Sequence, residues 1–332
     1  MALSLQQTSN MRRHRPTGRD CARPCVARPA GAALPARFRR ARLLIVGCGD
    51  VGLRVARELG ARLTVRALTS QPARAAELRG AGLTPLLANL DAPASLRRLA
   101  GLAPRVLHLA PPPGQGSTDP RTRALLAALA RGPAPCLVYG STSGVYGDAA
   151  GARFDETRPV APANPRAARR VDAERQLRRW ALASGGRATL LRIPGIYALD
   201  RAGGDPRERV RRATPALRAE DDVYTNHIHA DDLARACIAT LWRGRPQRAV
   251  HVCDHSELRM GDYFDLVADL HGLVRAPRIS RVDAQVQLGA MQLSFMSESR
   301  RLDNTRLLRE LRVQLRFAEV AQGLVWPGRG AG

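Results

Sequence analysis

Leu43, Leu44, Ile45 and Val46 follow one another without polar alternation, the pattern of a strand buried on both faces. Gly47, Gly49 and Gly52 come next, and Val51, Val55 and Leu59 then recur at helical spacing until Gly60. The same unit, apolar strand then amphipathic helix, repeats downstream. Strands are expected from Leu63 to Leu68, Thr84 to Ala88, Val106 to Ala110, Cys136 to Tyr139 and Thr189 to Ile193. Between them fall a helix from Ala73 to Leu78, a helix start at Ser95, a helix capped by Asp119 with Pro120 in its first turn, and a long helix opened by Asn164 and Pro165. That alternation argues for a parallel, doubly wound α/β sheet with right-handed crossovers.

Beyond Tyr197 the periodicity loosens. A helix starts at Asp231 or Asp232, Val250 to Val252 is a short strand, and helices are expected from Met260 to His271 and from Asn304 to Leu311. Residues 42–200 therefore read as the core and 201–330 as a small C-terminal substrate-binding lobe, with 226–256 returning to the core. Residues 1–41 are Arg- and Pro-rich, hold Asp20 as their sole acid and lack apolar periodicity; they read as a disordered extension or an early start, with Met11 as the alternative.

The net charge is +24 and every basic residue is arginine. No aromatic platform or nucleic-acid motif accompanies the charge, so a solvated Arg-rich surface is expected rather than a nucleic-acid partner. No apolar run nears the ~20 residues that span a bilayer. Cys21, Cys25, Cys48, Cys136, Cys237 and Cys253 follow neither disulfide nor zinc spacing, which fits a cytoplasmic protein. His227, His229, Asp231 and Asp232, like His251, Cys253 and His255, are read as packing residues rather than metal ligands.

Glycines at G-x-G-x-x-G spacing between a strand and a helix point to a dinucleotide. Gly47 permits the tight turn, Gly49 lets a pyrophosphate approach the backbone, and Gly52 brings helix and strand together. The N–H groups of Asp50 and Val51 open the helix, where its dipole favours phosphate. The sheet is thus of Rossmann type.

Five segments in this order give the chain its family likeness: the glycine turn, Asn89-Leu90-Asp91, Ser141-Thr142-Ser143-Gly144-Val145-Tyr146-Gly147, Arg192-Ile193-Pro194-Gly195-Ile196-Tyr197, and His227-Ile228-His229-Ala230-Asp231-Asp232-Leu233. From Arg42 to Leu324 the chain resembles the extended and atypical short-chain dehydrogenase/reductases, close to the NAD-dependent epimerase/dehydratase group. The glycine spacing is that of the atypical branch. The resemblance implies cofactor contacts at Gly47, Gly49, Asp50, Val51, Gly52, Asn89, Leu90 and Ala110, and a reacting-oxygen contact at Thr142. It also aligns Arg166 with the family's proton-transferring tyrosine, Arg170 with its ribose-binding lysine, and Glu174 with a trailing acid. Arginine cannot release a proton in a protein, so Arg166 cannot replace the tyrosine, whereas Arg170 can still hold a ribose or phosphate. Tyr146, four residues past Thr142, is the candidate proton donor.

The region at the end of the second strand holds Arg66, Ser70 and Arg74, with no acid before Glu77, which favours NADP over NAD. The expected function is an NAD(P)-dependent oxidoreductase or epimerase acting on a sugar-nucleotide-like or other small polar substrate. A non-catalytic NAD(P)-binding sensor is the alternative and a nucleic-acid binder a distant third. A homodimer is an open expectation.

Overall fold

A computed structural model of the chain describes residues 41–326; the Arg-rich leader expected over residues 1–41 lies, but for its last residue, outside the described residues. Its central sheet has seven strands: β1 (Arg42–Val46), β2 (Thr64–Thr69), β3 (Thr84–Leu87), β4 (Arg105–His108), β5 (Cys136–Thr142), β6 (Arg187–Ile193) and β7 (Ala249–His251). All pair in parallel, in the order β3-β2-β1-β4-β5-β6-β7. The order reverses direction between β1 and β4, and that is where a doubly wound sheet opens its ligand crevice.

Helices α1 (Asp50–Leu59), α2 (Arg74–Gly80), α3 (Pro120–Leu129), α4 (Pro165–Ser184) and α5 (Ala230–Arg243) accompany the sheet. Val55, Leu59, Leu233, Cys237 and Leu241 from α1 and α5 pack on one face with Leu43 and Ile45. Leu125, Leu129, Ala173 and Leu177 from α3 and α4 pack on the other with Leu44 and Val46. Each β1 residue from Leu43 to Val46 is fully buried, as an unalternated apolar run requires. Asp119 caps α3 by accepting from Thr122 N–H, Asn164 caps α4 by accepting from Ala167 N–H, and Gly185 ends α4 at φ +67°.

Two elements differ from the sequence expectation. β5 runs to Thr142 rather than Tyr139, because Gly140, Ser141 and Thr142 pair onward with Leu191, Arg192 and Ile193. The segment after Ser95 belongs to a 3-10 turn, Pro93–Leu99, in place of an α-helix.

A second core joins Tyr197, Val210, Leu217 and Val223 to Tyr263, Phe264 and Val267 of α6 (Met260–Leu270). Short helices at Pro206–Arg211, Arg281–Gln287, Ala290–Met296 and Val320–Leu324 surround it. A short strand pair, His227–His229 beside Gly195–Tyr197, adjoins it, and another, Arg301–Leu302 beside Arg153–Phe154, belongs to a separate cluster with Tyr146 and Cys253. Within 227–251 the chain leaves this core, forms α5 and ends on the sheet as β7. Among the described residues no helix is long and apolar enough to cross a membrane.

Candidate functional site

The glycine turn stands at the crossing between β1 and β4. Gly47 has φ +85°, and a Cβ there would lie 2.3 Å from Ala110 N, so only glycine fits. Leu109 and Ala110 N–H both donate to Val46 O, at 2.7 and 3.0 Å, which fixes the exit of β4 against the turn. Gly52 packs against Cys48 Sγ and Ile45, whose atoms would be 3.1 and 3.3 Å from an added Cβ. Gly49 is the opposite case: no atom lies within 4 Å of where its Cβ would be. It is also the N-cap of α1 and offers no side-chain cap. The first-turn N–H groups of α1 therefore face an open cradle that a side chain would fill, the fit a pyrophosphate needs.

The Asp50 carboxylate turns away from that cradle. It pairs with Arg54 Nε at 3.1 Å and Arg201 Nε at 3.3 Å. Arg54, buried to 5% exposure, also reaches Asp200 and Asp231, each at 2.7 Å. These carboxylates raise its affinity for its proton against the cost of burial, and they lock α1 to the loop after Tyr197 and to the start of α5. Asp50 and Val51 are thus left to act through their backbone.

Ser70, exposed, follows β2, and Arg74 opens α2. Arg74 Nη1 donates to Cys48 O at 2.9 Å, so its guanidinium lies beside the glycine turn, and its other edge holds Glu77 at 3.0 Å. Arg66 is corrected. Its Nη1 donates to Leu102 O, which precedes β4, so it reaches the N-terminal edge of the sheet, away from the ends of the strands where a dinucleotide binds. Position in β2, not proximity in sequence, decides this. Asn89 closes its own turn by accepting from Asp91 N–H at 3.0 Å, and Leu90 sits in the core.

At the end of β5, Thr142 is half-buried and its hydroxyl accepts from Gly144 N–H at 3.3 Å. Arg170 Nη1, from α4, donates to Gly140 O at 2.7 Å and to Tyr139 Oη at 3.0 Å, two and three residues from Thr142. Arg166, one turn earlier, is exposed and lies over the Phe295 ring, 5.4 Å from its centroid. Partial desolvation and the neighbouring charges of Arg170 and Arg169 lower its pKa from the usual arginine value, and Glu298 offsets part of this. The α4 face beside Thr142 is therefore a site of standing positive charge.

Tyr146 is also corrected. Its hydroxyl does not face the cofactor edge but is turned inward, with the residue 1% exposed. Arg192 Nη1 donates to it at 2.5 Å, and His251 Nε2 lies at 2.6 Å. His251 Nδ1 is 2.8 Å from Asp303 O, an acceptor, so Nδ1 carries the ring proton and Nε2 accepts from the tyrosine. Burial pushes the Tyr146 pKa up to about 12 and that of His251 down to about 4.

Sequence reasoning missed the rest of this network. Arg192 Nε and Nη2 donate to Glu174 at 3.2 and 2.8 Å, and Ser141 Oγ donates to the same carboxylate at 2.6 Å. The signal was present: an arginine inside the apolar run Thr189–Ile193 must have a counter-charge when buried. The motif His227 to Leu233 is likewise structural. His229 caps α5 by accepting from Asp231 N–H, and Asp232, fully buried, accepts from Arg316 and Phe317 N–H, each at 2.9 Å.

Comparison with known proteins agrees with this geometry. A UDP-glucose 4-epimerase from Azospirillum brasilense is 34% identical over 131 residues, 40% of this chain. The aligned part spans about a third of that relative, 32% of its length. Among solved structures, a functionally unknown conserved protein from Silicibacter pomeroyi superposes with TM-score 0.72 at 27% identity, covering 86% of this chain and 96% of that one. A UDP-glucose 4-epimerase from Thermotoga maritima, solved with UDP-glucose, superposes with TM-score 0.71 at 17% identity, covering 85% and 96%. The profile of the NAD dependent epimerase/dehydratase family matches residues 43–253, well over half of the chain. With the parallel sheet and the open glycine cradle at its switch point, that match makes the chain a member of the NAD-dependent epimerase/dehydratase family.

Proposed function

We propose that the protein is an NAD(P)-dependent oxidoreductase or epimerase acting on a sugar nucleotide or a similar small polar substrate. The observation that carries this reading is the cradle, with Gly47 locked against Ala110 and open space over Gly49 at the start of α1. Gly47, Gly49, Gly52 and the first-turn N–H groups of Asp50 and Val51 would hold the pyrophosphate, with Ala110 forming the opposite wall. Asn89 and Leu90, which follow β3, would border the adenine. Arg74 and Ser70 favour a 2′-phosphate, and so NADP, because the first acid after β2, Glu77, is already engaged by Arg74.

A bound dinucleotide supplies the hydride acceptor or donor; the rest falls to the chain. Thr142 would hydrogen-bond the reacting oxygen, and Arg170, anchored on Gly140 O, would hold the nicotinamide ribose. Arg166 and Arg170 cannot trade protons, but their fixed charge stabilises a developing alkoxide and favours an anionic substrate. The hydroxyl proton then leaves to solvent rather than to a tyrosine on α4.

Titration with NADPH and NADH, after removal of any co-purified nucleotide, tests the first half. Failure of both to bind at physiological concentrations ends the proposal. Turnover with UDP-glucose and UDP-glucuronate tests the second, and Thr142→Val is expected to keep cofactor binding while abolishing turnover. A second reading, an NAD(P)-binding sensor without redox chemistry, is favoured by Arg166 at the tyrosine position and by the inward Tyr146 hydroxyl. NADPH binding with no turnover on any sugar nucleotide would select it.

A further inference from the structure

The cavity at the far end of α1 serves neither the cradle nor Thr142. About 430 Å³ in volume, it lies between the C-terminal end of α1, the outer face of α5 and residues 312–314. Arg62, Arg235, Arg243 and Arg312 line it, with Glu58 the one acid among its lining residues. Cavities that take small ligands run from about 300 to 1,000 Å³.

Two of the arginines are held in place, one of them by uncharged groups. Arg243 Nη1 donates to the carbonyls of Leu311 and Arg312, at 2.8 and 3.3 Å, and a carbonyl fixes a guanidinium without neutralising it. Arg235 is held differently, in an ion pair with Asp232 at 3.4 Å that offsets part of its charge. Arg312 is kept at φ +52°, a conformation that costs a residue with a Cβ ~1 kcal/mol, and it stands at the cavity's rim nonetheless. Trp242, 42% exposed, adds a flat aromatic wall with the Arg105 guanidinium 5.0 Å from its ring centroid.

Four guanidiniums around one concave space outnumber the carboxylates of Glu58 and Asp232 and leave it positive, and each guanidinium offers a fork of donors that matches two phosphate oxygens. We propose that this cleft binds a small oligophosphate, either free or as the phosphate chain of a nucleotide. It is separate from the cofactor cradle: the two lie at opposite ends of the ten-residue α1, ~15 Å apart along its axis.

The test is calorimetric titration of the full chain with tripolyphosphate, ATP and adenosine. Tripolyphosphate and ATP are expected to bind and adenosine is not. Tighter binding of ATP would assign the site to a nucleotide, and equal binding to free oligophosphate. Arg62→Gln with Arg312→Gln should weaken both ~100-fold, one order for each charge-assisted contact, with the thermal midpoint unchanged. Arg74→Gln, at the cradle, should leave the affinity intact. Trp242 fluorescence gives a second readout in the unaltered chain, and its response to tripolyphosphate should vanish in Trp242→Phe.

The proposal is overturned if tripolyphosphate fails to bind. It is equally overturned if Arg74→Gln removes binding while the cleft variant keeps it, which would place the anion at the glycine turn. Equal weakening by Arg97→Gln with Arg98→Gln, two exposed arginines elsewhere, would reduce the effect to general surface charge. A short DNA duplex that binds more tightly than tripolyphosphate and depends on the same two arginines would also overturn it.

Discussion

His227→Phe should make the protein more resistant to acid while leaving it as stable as before at neutral pH. His227 is 6% exposed, and its ring stacks on Tyr263 at 4.0 Å between centroids and 21° between planes. Among the described residues its buried Nδ1 meets no partner, and its Nε2 meets Thr225 Oγ1 at 3.4 Å. Phenylalanine keeps the stack and gives up one weak contact, so at pH 8 the change should be neutral or stabilising by up to ~1 kcal/mol. Burial pushes the pKa of His227 from 6.5 down to about 3. The unfolded chain therefore binds this proton below pH 6.5 while the folded chain does not. Stability is fully present above pH 6.5 and falls as the pH drops, levelling only near the folded value of about 3. With an unfolded pKa of 6.5, the loss at pH 5 is ~2 kcal/mol, and the slope approaches ~1.4 kcal/mol per pH unit. His108 and His251, pushed by burial to about 3 and about 4, add the same kind of loss and remain in the variant as background. Urea unfolding of both proteins at pH 8, 7, 6 and 5 measures the difference. The variant's advantage should grow by ~2 kcal/mol between pH 7 and pH 5. Parallel stability curves over that range would refute a neutral, buried His227.

Glu174→Gln should cost about 3–5 kcal/mol in chemical unfolding, because it strands the Arg192 charge in an interior where both residues are under 6% exposed; a loss below ~1 kcal/mol would show the pair to be solvated. Gly49→Val should fold to within ~1 kcal/mol of the natural chain, since its Cβ meets nothing within 4 Å and φ there is −85°. The same variant should weaken dinucleotide binding at least ~10-fold in equilibrium titration by filling the cradle, and undiminished affinity would remove the pyrophosphate from that position.

The sheet was legible because its signals are local. Four apolar residues before Gly47, a proline after each of Asp119 and Asn164, and glycines at the ends of α1 and α4 each fix a boundary within a few residues. The short strands beyond the sheet were not, because they are two or three residues long and find partners far along the chain, such as Arg301–Leu302 beside Arg153–Phe154. No period can be read from two residues. The candidate site divides the same way. The strand, turn and helix around the glycines are contiguous and legible from spacing, whereas the direction of a side chain depends on its position within a strand. Arg66, the third residue of β2, reaches toward Leu102, while Arg74, eight residues on, lies at the turn.

Arg192 ties together the residues that the sequence left apart. An arginine between Leu191 and Ile193 in an interior strand must be neutralised, and Glu174 on α4 supplies the charge. Its third nitrogen then claims the Tyr146 hydroxyl, whose proton is held by His251 and whose pKa burial drives up to about 12. Recruiting Tyr146 for proton transfer would leave Arg192 Nη1 and His251 Nε2 without their partner in the interior, at a cost of ~1–3 kcal/mol for each. Tyr146 is thus held as a member of this buried network. Of the two side-chain hydroxyls singled out in that segment, Thr142 is the one still placed at the C-terminal end of β5, beside the charged face of α4. Thr142 thus stands beside the fixed positive charge of Arg170, anchored on Gly140 O, and the roles proposed above for Thr142, Arg166 and Arg170 rest on that juxtaposition.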